Sequence, residues 1–134
     1  MLKKIEEVSK LSGVSKRTLQ YYDDEGILSV KRSAENYRLY DDNDMKKLWE
    51  ILWYKTMGFQ LKEIKQLFEI TEEERKKYFA QKITKLDEKI QELDWQRKMI
   101  QHVKECGTVP VRIEENQGES YKSQIRKMKN NKRV

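Results

Sequence analysis

Residues 72–106 contain neither glycine nor proline, and this feature restricts the fold of the chain most. Thr71 and Glu74 have the form of a helix capping box, and Gly107 is the first helix breaker after them. Seven residues in this span alternate at spacings of four and three, which is typical of a coiled-coil seam: Phe79, Ile83, Leu86, Ile90, Leu93, Arg97 and Ile100. A mostly charged helix of this length is marginal alone in water, so we expect a coiled-coil homodimer. Folding back onto the N-terminal part of the chain is the alternative.

Charge is distributed unevenly along the chain. Residues 107–134 carry seven basic and three acidic side chains, a net of +4. Residues 1–70 carry 13 basic and 12 acidic side chains, a net of +1, so only the arrangement of side chains can indicate nucleic-acid binding there. The single cysteine excludes an internal disulfide, and the sequence shows no signal peptide or membrane-spanning run. We therefore expect a cytoplasmic protein with no membrane partner.

Residues 5–23 have the pattern of a helix-turn-helix. Ile5, Val8 and Leu11 share one face of a first helix, and Gly13 allows the tight turn. Ser15 is suited to cap a second helix, in which Leu19 faces inward. The outer face is rich in hydrogen-bond donors that suit a DNA major groove: Ser15, Lys16, Arg17, Thr18, Gln20 and Tyr21. A helical hairpin with a solvated polar face is the alternative.

The following residues predict a wing and two further helices. Residues 37–40 alternate like a short strand after a polar loop, so a β-hairpin is expected, with Arg38 pointing outward at a phosphate and Leu39 inward. Asp41 or Asp42 caps a helix that reaches Gly58, and a shorter amphipathic helix follows. We predict a mainly α protein with three parts: a winged helix-turn-helix domain (1–70), a coiled-coil dimerisation helix (71–106) and a partly extended or disordered tail (107–134).

Several of these motifs, in this order, resemble the MerR family of bacterial transcription regulators. The resemblance covers about residues 3–70, and the long helix follows in the family's order. It is carried by the residues 5–15, Arg17-Thr18-Leu19, Tyr21-Tyr22-Asp23, Gly26-Ile27-Leu28, Tyr37-Arg38-Leu39-Tyr40 and Met57-Gly58-Phe59. It implies an antiparallel dimer on a palindromic promoter, whose over-long spacer is bent and untwisted so that RNA polymerase engages both promoter elements. Polymerase is then an indirect partner, through DNA shape.

The resemblance also implies roles for individual residues. It places Arg17 at base edges, Tyr21 and Tyr22 on the DNA backbone, and Lys55 at the distorted centre of the site. Arg38, next to Tyr37, corresponds to the wing arginine. For Tyr22 the residues themselves leave a second interpretation, in which the ring packs in the core.

The chain departs from the family pattern at three positions. Val30 replaces a usual proline, which predicts a looser start of the wing. Asn36 replaces a glycine but tolerates the left-handed conformation. Gln20 replaces an arginine, which lowers the charge of the recognition helix and should alter affinity and salt dependence.

A second stripe lies near the end of the long helix, on the side away from the seam: Trp95, Met99, His102 and Cys106. An outer tryptophan requires a cover. We consider three: the segment with Val109, Val111 and Ile113, the partner's DNA-binding domain, or a ligand or soft metal held by His102 and Cys106 across a dimer. One cysteine per chain is too few for the cysteine pair of the family's metal sensors or for an iron–sulfur site, so we predict neither a metal nor a cofactor. The effector is not identified.

A sequence-specific transcription regulator bound to double-stranded promoter DNA is the leading hypothesis. The alternative is an architectural DNA-bending factor of the excisionase type, although such a factor needs no long dimer helix. An enzyme is not expected, because the chain has one histidine and no glycine-rich phosphate loop.

Overall fold

The computed structural model of the chain describes residues 1–110 and 118–130. It divides into two compact units, Met1–Arg75 and Lys76–Val134, and it is mainly helical as predicted. The elements are β1 (Lys3–Lys4), α1 (Ile5–Ser12), α2 (Lys16–Asp24), β2 (Lys31–Arg32), β3 (Arg38–Tyr40), α3 (Asp42–Thr56), α4 (Leu61–Glu69), α5 (Glu72–Cys106) and α6 (Tyr121–Asn130).

The helix-turn-helix is formed by α1 and α2, as predicted. Gly13 ends α1 with a φ of 76°, and its N–H donates to the Ser9 carbonyl. The Ser9 hydroxyl donates to the Val14 carbonyl at 2.7 Å, which closes the turn. Ser15 caps α2 by accepting from the Thr18 N–H at 3.1 Å. These local interactions hold α2 at a set angle to α1.

The predicted wing is a hairpin of β2 and β3, and a third strand was missed. β1, which immediately precedes α1, pairs antiparallel with β3, so the sheet order is β1-β3-β2. Lys3 lies opposite Tyr40, and Lys31 lies opposite Leu39. Asn36 takes a φ of 70° in the connecting turn, as expected for its replacement of glycine. A two-residue strand has too few residues for a periodicity signal.

The core of the N-terminal unit joins α1 and α2 to α3, α4 and the sheet. Of the two predicted candidates, Asp41 caps α3, and it does so through a reciprocal capping box with Asp44. The capped start of α3 comes immediately after β3 in the chain, so this junction connects the wing to the core. The buried apolar side chains are Val8, Leu19, Tyr22, Ile27, Leu28, Tyr40, Leu48, Ile51, Phe59, Ile64 and Leu67.

In the C-terminal unit, α5 continues to Cys106, and Gly107 follows it with a φ of 80°, as predicted. Within the tail, residues 121–130 form helix α6, in which Tyr121, Ile125 and Met128 recur at helical spacing. Val111 and Ile113 lie outside the described residues. Among the helices that the structure describes, none is both long and apolar enough to cross a membrane.

Candidate nucleic-acid interface

The two faces of α2 differ sharply. Leu19 and Tyr22 are wholly buried, whereas Lys16, Arg17 and Gln20 are exposed. The Tyr21 ring is 49% exposed beside them. A packed inner face therefore holds a row of hydrogen-bond donors on the outside of the helix. This is the arrangement that the reading of base edges in a major groove requires.

Ser15 and Thr18 take part in the start of α2 itself. The Ser15 hydroxyl accepts from the Thr18 N–H and donates to the Thr18 Oγ1 at 2.9 Å. Because its donor and one acceptor site are used locally, Ser15 positions the helix in this structure. The side-chain cap is typically worth about 1 kcal/mol.

Tyr22 does not lie on the surface, so the assignment of this residue to the DNA backbone needs correction. Its side chain is 0% exposed, as the core interpretation of this residue required. The ring belongs to the inner face of α2, three residues after Leu19. The Lys55 Nζ lies 3.4 Å from the Tyr22 hydroxyl oxygen and donates to it. The exposed Lys55 is thus tied to the recognition helix.

Arg38 also differs from the prediction, because its side chain faces α2 and is only 15% exposed. Its Nε donates to Asp23 Oδ2 at 2.8 Å, and its Nη2 lies 3.3 Å from Asp24 Oδ1. Arg38 and Tyr40 share one side of β3, and Tyr40 is wholly buried. Burial raises the pKa of the Tyr40 phenol above its ordinary value. Sequence alternation alone did not reveal which side faced the core.

Asp23 is the structural residue that the sequence interpretation missed. Its Oδ1 accepts from the Val30 N–H at 3.2 Å, while its Oδ2 is bonded to Arg38. Arg32 Nη2 lies 3.6 Å from the same Oδ2. One carboxylate, 13% exposed, therefore joins the end of α2 to both strands of the wing. The sequence did contain a signal for this linking role, because a carboxylate directly follows the two tyrosines and the wing contains arginines.

We expect Asp23→Ala to lower the free energy of unfolding by about 1–3 kcal/mol, since it removes the acceptor of the Val30 N–H and the main partner of Arg38. Urea denaturation measures this change. Asp24→Ala is the matched control, because Asp24 is 67% exposed and its ion pair is worth at most about 1 kcal/mol. Equal losses in the two variants would contradict the assignment of Asp23 as the link.

At the C-terminal end of α5, helix α6 covers Trp95. The Lys129 Nζ lies 5.3 Å from the centroid of the Trp95 ring, and Lys129 forms an ion pair with Glu92. The hydrogen bond from Lys129 lowers the pKa of the Glu92 carboxyl below its ordinary value. Met128 and Ile125 face the same region as Trp95 and Met99. Among the described residues, the cover is therefore α6 together with Val109 and Pro110.

The other end of the stripe is polar and accessible. Cys106 Sγ lies 3.9 Å from His102 Nδ1, and Cys106 is exposed. Within the part of the chain that the structure describes, no group of three or more His, Cys, Asp or Glu side chains is arranged to hold a metal ion. Two ligands in one chain do not complete a coordination sphere.

A winged helix-turn-helix followed by a long, unbroken helix defines a class of DNA-binding regulators. The profile of the MerR HTH family regulatory proteins matches residues 3–70, and that described as "MerR, DNA binding" matches residues 46–103. The chain belongs to the MerR family of transcription regulators. The predicted family and fold class are confirmed.

Individual relatives agree with this assignment. The transcriptional activator mta of Bacillus subtilis is 36% identical over 98 residues, which are 67% of this chain and 38% of that protein. The regulator HmrR of Rhizobium leguminosarum is 32% identical over 105 residues, 74% of this chain and 81% of that protein. This chain thus spans most of HmrR but well under half of mta.

A solved structure extends the comparison to the long helix. HiNmlR, a MerR family regulator lacking the sensor domain and bound to promoter DNA, is 28% identical, with a TM-score of 0.56. The match covers 81% of this chain and 93% of that chain. These matches support a DNA-binding regulator, and none of them supports an excisionase-type factor.

Proposed function

We propose that this protein binds a palindromic promoter as a homodimer and distorts the spacer DNA in response to a signal. The observation that carries the proposal is the outer face of α2, where Lys16, Arg17, Gln20 and Tyr21 are exposed above a fully packed inner face. RNA polymerase would respond indirectly, through the shape of the promoter. The proposal includes a cytoplasmic location and no catalytic activity.

The homodimer is supported by the exposure of the α5 seam. The side chains of Ile83, Ile90 and Leu93 are about 60% exposed: 59%, 62% and 63% respectively. Leaving a row of aliphatic side chains in water forfeits about 1.5–3 kcal/mol per residue relative to full burial. A second α5, offering the same seam, buries this row on both chains at once.

Different surface residues are proposed to contact DNA in different ways. Arg17 reads a base edge, while Lys16, Tyr21 and Tyr37 contact the backbone near it. Lys55, tied to Tyr22, lies at the distorted centre of the site. Arg38 supports the wing through Asp23, and its Nη2 also donates to the exposed Asp24.

The promoter-bound HiNmlR supports this proposal, because it is 28% identical to this chain in a match that covers 81% of this chain. The decisive experiment is selection of bound DNA from a random library. We expect a palindrome with a constant centre-to-centre spacing, because two recognition helices in one dimer require two half-sites. Binding without sequence preference would contradict the proposal and favour a bending factor.

We propose that the signal enters through the cover of Trp95. Deleting residues 108–134 removes α6, so we expect a red shift of Trp95 emission and a larger change in promoter distortion than in operator affinity. The measurement requires a Trp49→Phe, Trp53→Phe background, because the chain has three tryptophans.

A variant that keeps the length of the tail is the matched control. Ile125→Ser with Met128→Ser removes the apolar contacts of α6 and should reproduce the red shift. An unchanged emission maximum after truncation would mean that α6 does not shield Trp95 in solution.

A further inference from the structure

Helices α5 and α6 flank an open cavity, and of its lining residues only Ile100 also belongs to the seam of α5. Its volume is ≈ 620 Å³, within the range of about 300–1,000 Å³ that is typical of small-molecule sites. Both helices and the segment after α5 contribute to its wall. The residues that line it are Trp95, Met99, Ile100, Val103, Lys104, Val109, Pro110, Ile125 and Met128.

The wall is apolar with one charged exception. Lys104 is the single charged residue among the lining residues that the structure describes. Among the described carboxylates, the adjacent Glu105 accepts from Gln101 at 2.7 Å. Farther along α5, Glu92 pairs with Lys129 and Asp94 with Lys98 at 3.0 Å. Lys104 forms no ion pair with the described residues, so an apolar ligand with an anionic end would meet a cation there, whereas a cationic ligand would meet a like charge.

Trp95 supplies a second indication. Its indole N–H is shielded from water and has no hydrogen-bond acceptor among the described residues. A buried donor without an acceptor is destabilising. Trp95 is thus a part of the cavity wall whose polar atom the described residues leave unsatisfied.

We propose that the α5–α6 cavity binds a small hydrophobic organic anion, such as an alkyl or aromatic carboxylate. The apolar body lies against Trp95, Met99, Val103 and Met128, and the anionic group pairs with Lys104. Binding strengthens the contact of α6 with α5, because the ligand contacts both helices. This site is distinct from the His102–Cys106 pair, which lies outside the cavity lining.

The test measures Trp95 emission of the full chain with Trp49→Phe and Trp53→Phe during titration with decanoate below its micellar concentration. We expect a saturable change in emission. Decanol has the same apolar body but no charge. It should bind about two- to fivefold more weakly, because it lacks the partly exposed ion pair with Lys104. Decyltrimethylammonium should bind more weakly still. The titration contains no DNA, so its outcome is independent of operator binding. A role of the α5–α6 cavity as the effector site rests on the proposed function.

Two variants, each with a matched control, locate the site. Val103→Phe occupies part of the cavity and should weaken decanoate binding about fivefold or more, because the added ring takes space that the ligand needs. Leu11→Phe adds similar bulk to an exposed residue of the N-terminal unit and should leave binding unchanged. Lys104→Gln should reduce decanoate affinity to that of decanol, while Lys85→Gln, on an exposed part of α5, should have no effect.

Three results would overturn the proposal. The first is the absence of a saturable change with decanoate in a protein whose circular dichroism shows it to be folded. The second is equal binding by Val103→Phe and the parent protein. Binding of decyltrimethylammonium as tight as that of decanoate would refute the assignment to an anion.

Discussion

Replacing Leu86 and Ile90 with glutamate is expected to convert the protein to monomers and to remove tight operator binding. Each dimer would then bury four unpaired carboxylates in its seam, and removing the partner of even one buried charge costs about 3–5 kcal/mol. Since the proposed dimer supplies both recognition helices, its loss also removes the second half-site contact. Sedimentation equilibrium measures the association, and titration with a labelled operator measures the affinity.

The control places the same charges elsewhere on α5. Gln81 and Thr84 are exposed and lie off the seam, so Gln81→Glu with Thr84→Glu should remain dimeric and bind DNA with little change. A Leu86→Glu, Ile90→Glu protein that stays dimeric would show that the seam is not the dimer contact. A monomer that binds the operator as tightly as the parent protein would instead show that operator recognition does not require the dimer.

Arg17→Ala should remove sequence preference at one base position in each half-site, at a cost of about 1–3 kcal/mol per half-site. The reason is that an exposed arginine on the recognition helix offers two parallel donors to a guanine edge, which alanine lacks. Affinities measured for the selected operator and for its single-base variants at that position give the effect. The parent protein should discriminate among them, and the variant should not.

Lys16→Ala is the comparison for Arg17, because it removes one exposed cation from the same helix. The ion pair of Lys16 with Glu6, at 3.8 Å, is exposed and contributes little to stability. This variant should weaken binding to all sequences alike and lower the salt slope by about one unit per half-site. If both variants lose affinity equally on every sequence, Arg17 contacts phosphate and not bases.

The features predicted correctly are those that neighbouring residues determine among themselves. Gly13 allows the turn, Ser15 caps α2, and an aspartate, one of the two predicted, caps α3, each within a span of about one helical turn. The long α5 likewise follows from the absence of a breaker between Thr71 and Gly107. Local propensity and capping act over a few residues, so they can be recognised without a partner.

The positions that differed from prediction depend on contacts between distant segments. The orientation of Arg38 is decided by Asp23, fifteen residues earlier, and that of Tyr22 by the packing of α2 in the core. In a short strand either side can face the core, and the alternation of residues is the same in both cases. The cover of Trp95 also depends on a contact between distant segments. Helix α6 is short and charged, and it shields Trp95 only through its contact with α5.

The sequence by itself therefore determined the order of the helices, the caps and turn of the helix-turn-helix, and the unbroken length of α5. These follow from backbone conformational preferences and from the 3.6-residue and heptad periods. Only the tertiary structure decided that Asp23 links α2 to the wing, that Tyr22 is buried, and that α6 forms a cavity over Trp95. A long-range contact depends on which surfaces meet after folding, and a linear pattern of residue types does not specify this.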